Sequence, residues 1–231
     1  MNRLQSELNR LYRLQPQADA GDSVRAMVLE LTRPPSWEPL SNVWRGVQAE
    51  LELPAPAIAV SGTDGLQLWF SLAEPVAAGR AQAFLDRVRQ RFLPEIDPSR
   101  VRLMLQAPQV PAEQGQSGNW SAFVAPDLAP VFDDAPWLDI APNDEGQASL
   151  LSVIEVAKPA VFEAAMRKLD AADQAPVASR LDDRRPPPHA EAVSCDAQAR
   201  RFLQQVMHDE TVALALRIEA AKALLQHPLG G

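Results

Sequence analysis

The sequence predicts an α+β protein, and three observations carry that prediction. Apolar residues alternate with period two over residues 25–32, 57–72 and 101–105, as half-buried strands require. Stripes at helical spacing fill the two intervals between them, over 40–51 and 77–92. At 231 residues, 46% hydrophobic and 23% charged, the chain has the size and composition to bury a core of its own.

The elements follow in order. Leu4, Leu8, Leu11 and Leu14 form one helical stripe, with Arg3, Glu7, Arg10 and Arg13 opposite, and Pro16 ends the helix. This N-terminal helix, residues 1–16, is expected to pack on the sheet or to mediate self-association with a second copy. In the first strand Met27, Leu29 and Leu31 face one way, and Val28, Glu30 and Thr32 the other. Arg33-Pro34-Pro35 closes it, because proline cannot continue a central ladder. A helix then carries Leu40, Val43, Trp44, Val47 and Leu51 on one side. Ile58 and Val60 open a hairpin that turns at Gly62-Thr63-Asp64-Gly65 and returns through Leu66, Leu68, Phe70 and Leu72. Its second face carries Gln67, Trp69 and Ser71. Ala81, Phe84, Leu85, Val88 and Phe92 stripe the next helix, and residues 101–105 form a fourth strand with Arg102 and Met104 on the second face.

The order β-α-β-β-α-β is that of the ferredoxin-like, or RRM-like, antiparallel plait. In it the first and third strands are neighbours and both helices lie on one face. Glu30, Gln67, Trp69 and Arg102 would then share a helix-free face. Beyond the plait, residues 106–118 read as a loop, 120–124 as a short strand and 127–145 as an acidic, irregular stretch. Helices are expected at 147–156 and from Pro159 to about residue 169, completing an α+β domain over 20–170. Residues 171–195 hold Arg184-Arg185-Pro186-Pro187-Pro188 and read as a linker; residues 196–231 read as a helical hairpin tail, a candidate surface for a protein partner.

Composition excludes several classes of function. The net charge is −8, and residues 103–157 hold eight acids with no Lys, Arg or His, so this segment carries the whole excess. A basic stripe is missing, which predicts weak nucleic-acid binding at most. No apolar run reaches membrane-spanning length and the N-terminus has no signal-like apolar core, so a cytoplasmic protein is expected. A single Cys195 and the scattered His189, His208 and His227 make no zinc-type spacing. No phosphate-cradling glycine loop and no nucleophilic triad is present. An RNA-recognition surface would need paired aromatics on the central strands, where only Trp69 is found.

The segment from Pro56 to Phe70, PAIAVSGTDGLQLWF, resembles the second motif of archaeo-eukaryotic-type primases, nearest to the plasmid-replication (RepB-like) branch. That motif reads as a strand, a serine by a glycine turn, then His or Gln before an aromatic; Ser61 and Gln67 take those places. Residues 28–34, VLELTRP, look like the first motif, in which two acids two positions apart hold the catalytic metal. Residues 97–103, DPSRVRL, are similar to the segment leading into the third. The resemblance covers about residues 25–105. It implies catalytic positions at Glu30, Gln67 and Asp139, and binding positions at Ser61, Trp69 and Arg102. A magnesium or manganese site follows only if Glu30 and Asp139 converge.

This chain departs from the pattern where the chemistry lies. Thr32 stands where the second acid of the first motif belongs, and a neutral hydroxyl cannot replace a carboxylate in a metal clamp. The expectation is therefore a degenerate, non-catalytic primase-polymerase-like domain of replication or a mobile element, needing no cofactor. The alternatives are a protein-interaction or scaffold protein with no nucleic-acid role and, more weakly, an active metal-dependent nucleotidyltransferase. Each site residue also has a structural reading: Glu30 paired with Arg102, Ser61 and Gln67 bonded to backbone, Trp69 in a core. Trp120, Phe123, Phe132 and Trp137 are the candidates to cover Trp69.

Overall fold

The computed structural model describes residues 2–12, 23–115 and 117–174, which belong to one compact unit spanning Met1–Ala175. Its strands are β1 (Ser23–Thr32), β2 (Ala57–Val60), β3 (Gly65–Ala77), β4 (Val101–Met104), β5 (Ala112–Glu113) and β6 (Trp120–Val124). They form one sheet in the order β4-β1-β3-β2-β6-β5, with every neighbouring pair antiparallel. The helices are α1 (Arg3–Leu11), α2 (Trp37–Ala49), α3 (Ala78–Phe92), α4 (Asp144–Ser152) and α5 (Pro159–Gln174).

Alternation along the strands sorts side chains into two cores, because successive residues of a strand point to opposite faces. On the first face, Met27, Leu29 and Leu31 meet Leu66, Leu68, Phe70, Ile58 and Val60 beneath α2, α3 and α5. Phe84 of α3 sits edge-on to Phe70, with ring centroids 5.4 Å apart, and reaches Phe162 of α5 at 5.2 Å. The second face carries Ala26, Val28, Ala57, Ala59, Trp69 and Phe123.

The second face is not helix-free. Leu4, Leu8, Leu11 and Tyr12 of the N-terminal segment and Ala148 and Leu151 of α4 cover it. Asn2 caps α1 by accepting from the Gln5 N–H at 2.8 Å and donates to Asp144 at 2.9 Å. Arg3 pairs with Glu145, and Arg10 donates to the carbonyls of Leu151 and Ile154, capping the end of α4. The leucine stripe at positions 4, 8 and 11 is buried against the sheet, the first of the two roles expected for this helix; Leu14 lies outside the described residues.

The stretch after β4 also gains order. Gln147 of α4 accepts from the Phe123 N–H at 2.7 Å and returns a bond to the Phe123 carbonyl at 2.9 Å, so a side-chain amide completes the ladder of β6. Asp133, in the acidic stretch, accepts from the Trp37 N–H at 2.6 Å and anchors the start of α2, where an anion is favoured. Of the four aromatics expected over Trp69, Phe123 is packed there, whereas Phe132 packs on the first core. Helix α5 runs to Gln174, past the expected start of the linker at residue 171. The rest of that linker and the tail at 196–231 lie outside the described residues. No helix among the described residues is long and apolar enough to cross a membrane.

Candidate functional site

Register places Glu30 of β1 opposite Gln67 of β3 and Arg102 of β4. All three project on the second face, at the end of the sheet nearest the 61–65 turn. Glu30 is 3% exposed, and its Oε1 accepts from Arg102 Nη1 at 3.4 Å. The same guanidinium donates to both oxygens of Asp64, at 3.1 and 3.3 Å, and Arg33 Nε donates to Asp64 Oδ2 at 2.7 Å. The result is a chain of alternating charges, Glu30–Arg102–Asp64–Arg33, running from the buried sheet to solvent. Arg33 reaches Asp64 from a left-handed backbone conformation, φ 41°, that costs a non-glycine residue some strain.

The turn itself is built by Ser61. Its Oγ accepts from the N–H groups of Thr63, Asp64 and Gly65 at 3.1, 3.2 and 2.9 Å, and Gly62 supplies the positive φ of 81°. Gly65 has a different task. A Cβ there would stand 2.2 Å from Glu30 Oε1, so only glycine leaves room for the carboxylate. Gln67 is 3% exposed and its Oε1 accepts from Trp69 Nε1 at 2.8 Å. Trp69 is wholly buried, edge-on to Tyr12 at 5.0 Å and to Phe123 at 5.2 Å. Its ring has no face open to a base or a ligand.

The electrostatics follow from this geometry. Burial, the largest influence, raises the Glu30 pKa above its ordinary value; Arg102 pulls it down, Asp64 pushes it up, and the bond with Gln67 lowers it. Burial also acts to raise Asp64, but hydrogen bonds and charge from Arg33 and Arg102 outweigh it and hold the pKa low. Burial raises the Tyr12 hydroxyl too, and that hydroxyl is buried without a hydrogen-bond partner.

The predicted site residues are thus divided. Glu30, Gln67 and Arg102 come together, with Ser61 supporting the adjacent turn. Trp69 is core. Asp139 follows Leu138, whose backbone pairs with Trp120 at the start of β6, and its side chain is exposed where that of Glu30 is buried; no hydrogen bond or ion pair joins the two. Thr32 donates to the Arg100 carbonyl at 3.2 Å, and Arg100 Nε returns a bond to the Thr32 carbonyl at 3.1 Å. Among the described residues no group of three or more His, Cys, Asp or Glu stands ready for a metal ion. Sequence reasoning missed Asp64 and Arg33 as members of the cluster. Asp64 reads as a turn former and Arg33 as a strand terminator, and only the folded structure brings Asp64 onto Arg102 and Arg33 onto Asp64. No family model matches the chain, and the search of curated proteins found no match.

Proposed function

We propose that the chain is a non-catalytic domain of primase-polymerase-like architecture, serving replication or a mobile element by binding rather than by nucleotide transfer. The observation that carries this reading is the partner of Glu30. Phosphoryl transfer with two metals needs a second carboxylate close to the first, to hold the cation against its hydration shell. A second carboxylate, Asp64, does stand near Glu30, but the Arg102 guanidinium bonds to both and occupies the position between them that a cation would need. A cation approaching Glu30 would have to displace Arg102 and enter a site where burial already disfavours the carboxylate's charge. The strand order β4-β1-β3-β2, with α2 and α3 on one face, supports a ferredoxin-like plait as the central unit, with β5, β6, α1, α4 and α5 outside it.

Isothermal titration of the full chain with manganese, beside the Glu30→Gln variant, tests the metal arm, and template-directed primer extension tests the catalytic arm. The expected outcome is no extension and no saturable manganese binding that depends on Glu30. Micromolar binding abolished by Glu30→Gln, or extension by the unaltered chain, overturns the reading.

A further inference from the structure

A second feature lies at the end of α1 and is independent of the proposal above. Tyr12 is the chain's one tyrosine, 2% exposed, edge-on to Trp69 and stacked on Phe123 with ring centroids 6.1 Å apart. Its hydroxyl is, among the described residues, the one buried side-chain N or O atom without a hydrogen-bond partner. A phenol hydroxyl bonds water freely in the open, so burial without a partner works against the docked position of the element that carries it. The Tyr12 N–H closes the last turn of α1 on the Leu8 carbonyl at 2.8 Å, so ring and helix move together.

The rest of α1 is held by its side chains. Leu4, Leu8 and Leu11 are buried, and around them stand polar ties: Asn2 to Asp144, Arg3 to Glu145 and Ser149, Arg10 to the carbonyls of Leu151 and Ile154, and Arg25 to the carbonyl of Arg10. The side chains of Arg3 and Glu145 are 48% and 66% exposed, and a pair so open to water contributes little. At nine residues α1 is shorter than a helix that holds by itself in water, and its first turn has no acid to favour the dipole. It therefore stands as a helix only while docked, and docking leaves the Tyr12 hydroxyl unmet. The other parts of this face are fixed differently. Helix α4 is bonded through Gln147 to both the N–H and the carbonyl of Phe123, at 2.7 and 2.9 Å, and Trp69 lies in β3, which is laddered to β1 on one side and β2 on the other. The N-terminal helix is thus the part that can leave with the remainder intact, and leaving returns the hydroxyl to water.

We propose that α1 is a detachable strap: it leaves the sheet in a local opening that keeps the strands and α4 folded and uncovers Trp69, and the unmet Tyr12 hydroxyl sets how often it does so. Native-state hydrogen exchange on the full chain tests this. The amides from Leu8 to Tyr12 are expected to exchange about tenfold or more faster than the ladder amides of β1, with a weaker dependence on urea, because the opening exposes less surface than global unfolding. Tyr12→Phe keeps the ring and removes the hydroxyl, and is expected to slow exchange in α1 by about fivefold or more. Because Tyr12 is the only tyrosine, its nitration by tetranitromethane, located by peptide mass, reports the opening directly, and is expected in urea well below the unfolding transition. One common rate and urea dependence for α1 and β1 overturns the proposal, since α1 would then leave only when the whole unit unfolds. So does α1 exchange that is unchanged or faster in Tyr12→Phe, or a Tyr12 inert to nitration until the transition.

Discussion

The two faces of the sheet are made by the same strands and differ in what they bury. Beneath α2, α3 and α5 the sheet contributes only apolar side chains, and the helices answer with Leu, Val and Phe. Beneath α1 and α4 it contributes Glu30, Gln67 and Ser71 beside Trp69 and Val28, and the cover adds the hydroxyl of Tyr12. Stability on the first face comes from burial of apolar area, which is tolerant of detail. On the second face each buried polar group needs a specific partner, and leaving one unmade costs about 1–3 kcal/mol. Glu30 has Arg102, Gln67 has the Trp69 Nε1–H, and Ser71 donates to the Glu155 carbonyl at 3.3 Å; among the described residues only the Tyr12 hydroxyl is buried without a partner. Glu30, Gln67 and Trp69 lie on this second face and Ser61 in the turn beside it, each hydrogen-bonded within the fold, whereas Asp139 is exposed and apart from them.

Truncating one residue on each face separates the two most sharply. Phe84→Ala removes a ring that touches both Phe70 and Phe162, and is expected to cost about 3–5 kcal/mol in denaturant unfolding. Leu8→Ala, on α1, is expected to cost about 2–3 kcal/mol, with solvent reaching Trp69 and shifting its fluorescence to the red. Equal costs with an unshifted Trp69 spectrum would mean that α1 is not what closes the second face.

A smaller effect probes the fit of Glu30. Gly65→Ala places a methyl group 2.2 Å from Glu30 Oε1 and is expected to destabilise by about 1–3 kcal/mol. Because the clash is with that one side chain, adding Glu30→Ala should recover much of the loss in a double-mutant cycle. If the two substitutions are additive, the glycine answers to its backbone and not to the carboxylate.

The smallest effect is in pH dependence. The folded-state pKa of Glu30 is raised, so the native state holds this proton more tightly than the unfolded chain does. Stability from this group is present below the ordinary value of 4.5 and declines as pH rises through the folded-state value. Glu30→Gln abolishes that titration. The stability of the variant relative to the parent should therefore increase with pH across that window and level off above it. A difference that is flat with pH, measured by urea unfolding, would mean that Arg102 and Gln67 fully offset the burial of the charge.

Much of this molecule is legible in its sequence. Period-two alternation assigned Met27, Leu29 and Leu31 to one face and Val28 and Glu30 to the other, and helical spacing placed the buried sides of α1, α2 and α3, because both patterns are local and geometric. The pairing of β1 with β3 follows from element order. Tertiary structure decided what lies opposite each face. Alternation tells which way a side chain points, and is silent on whether water, metal, arginine or a helix meets it there. The cover of the second face is assembled from contacts such as that between Arg3 and Glu145, 142 residues apart, and Glu30 meets Arg102 across 72. At such separations no local pattern in the chain records the partner. Trp69 therefore looks in sequence like a ligand platform and is in the structure a core residue, and Gly65 looks like a turn residue and is also the space in which Glu30 sits.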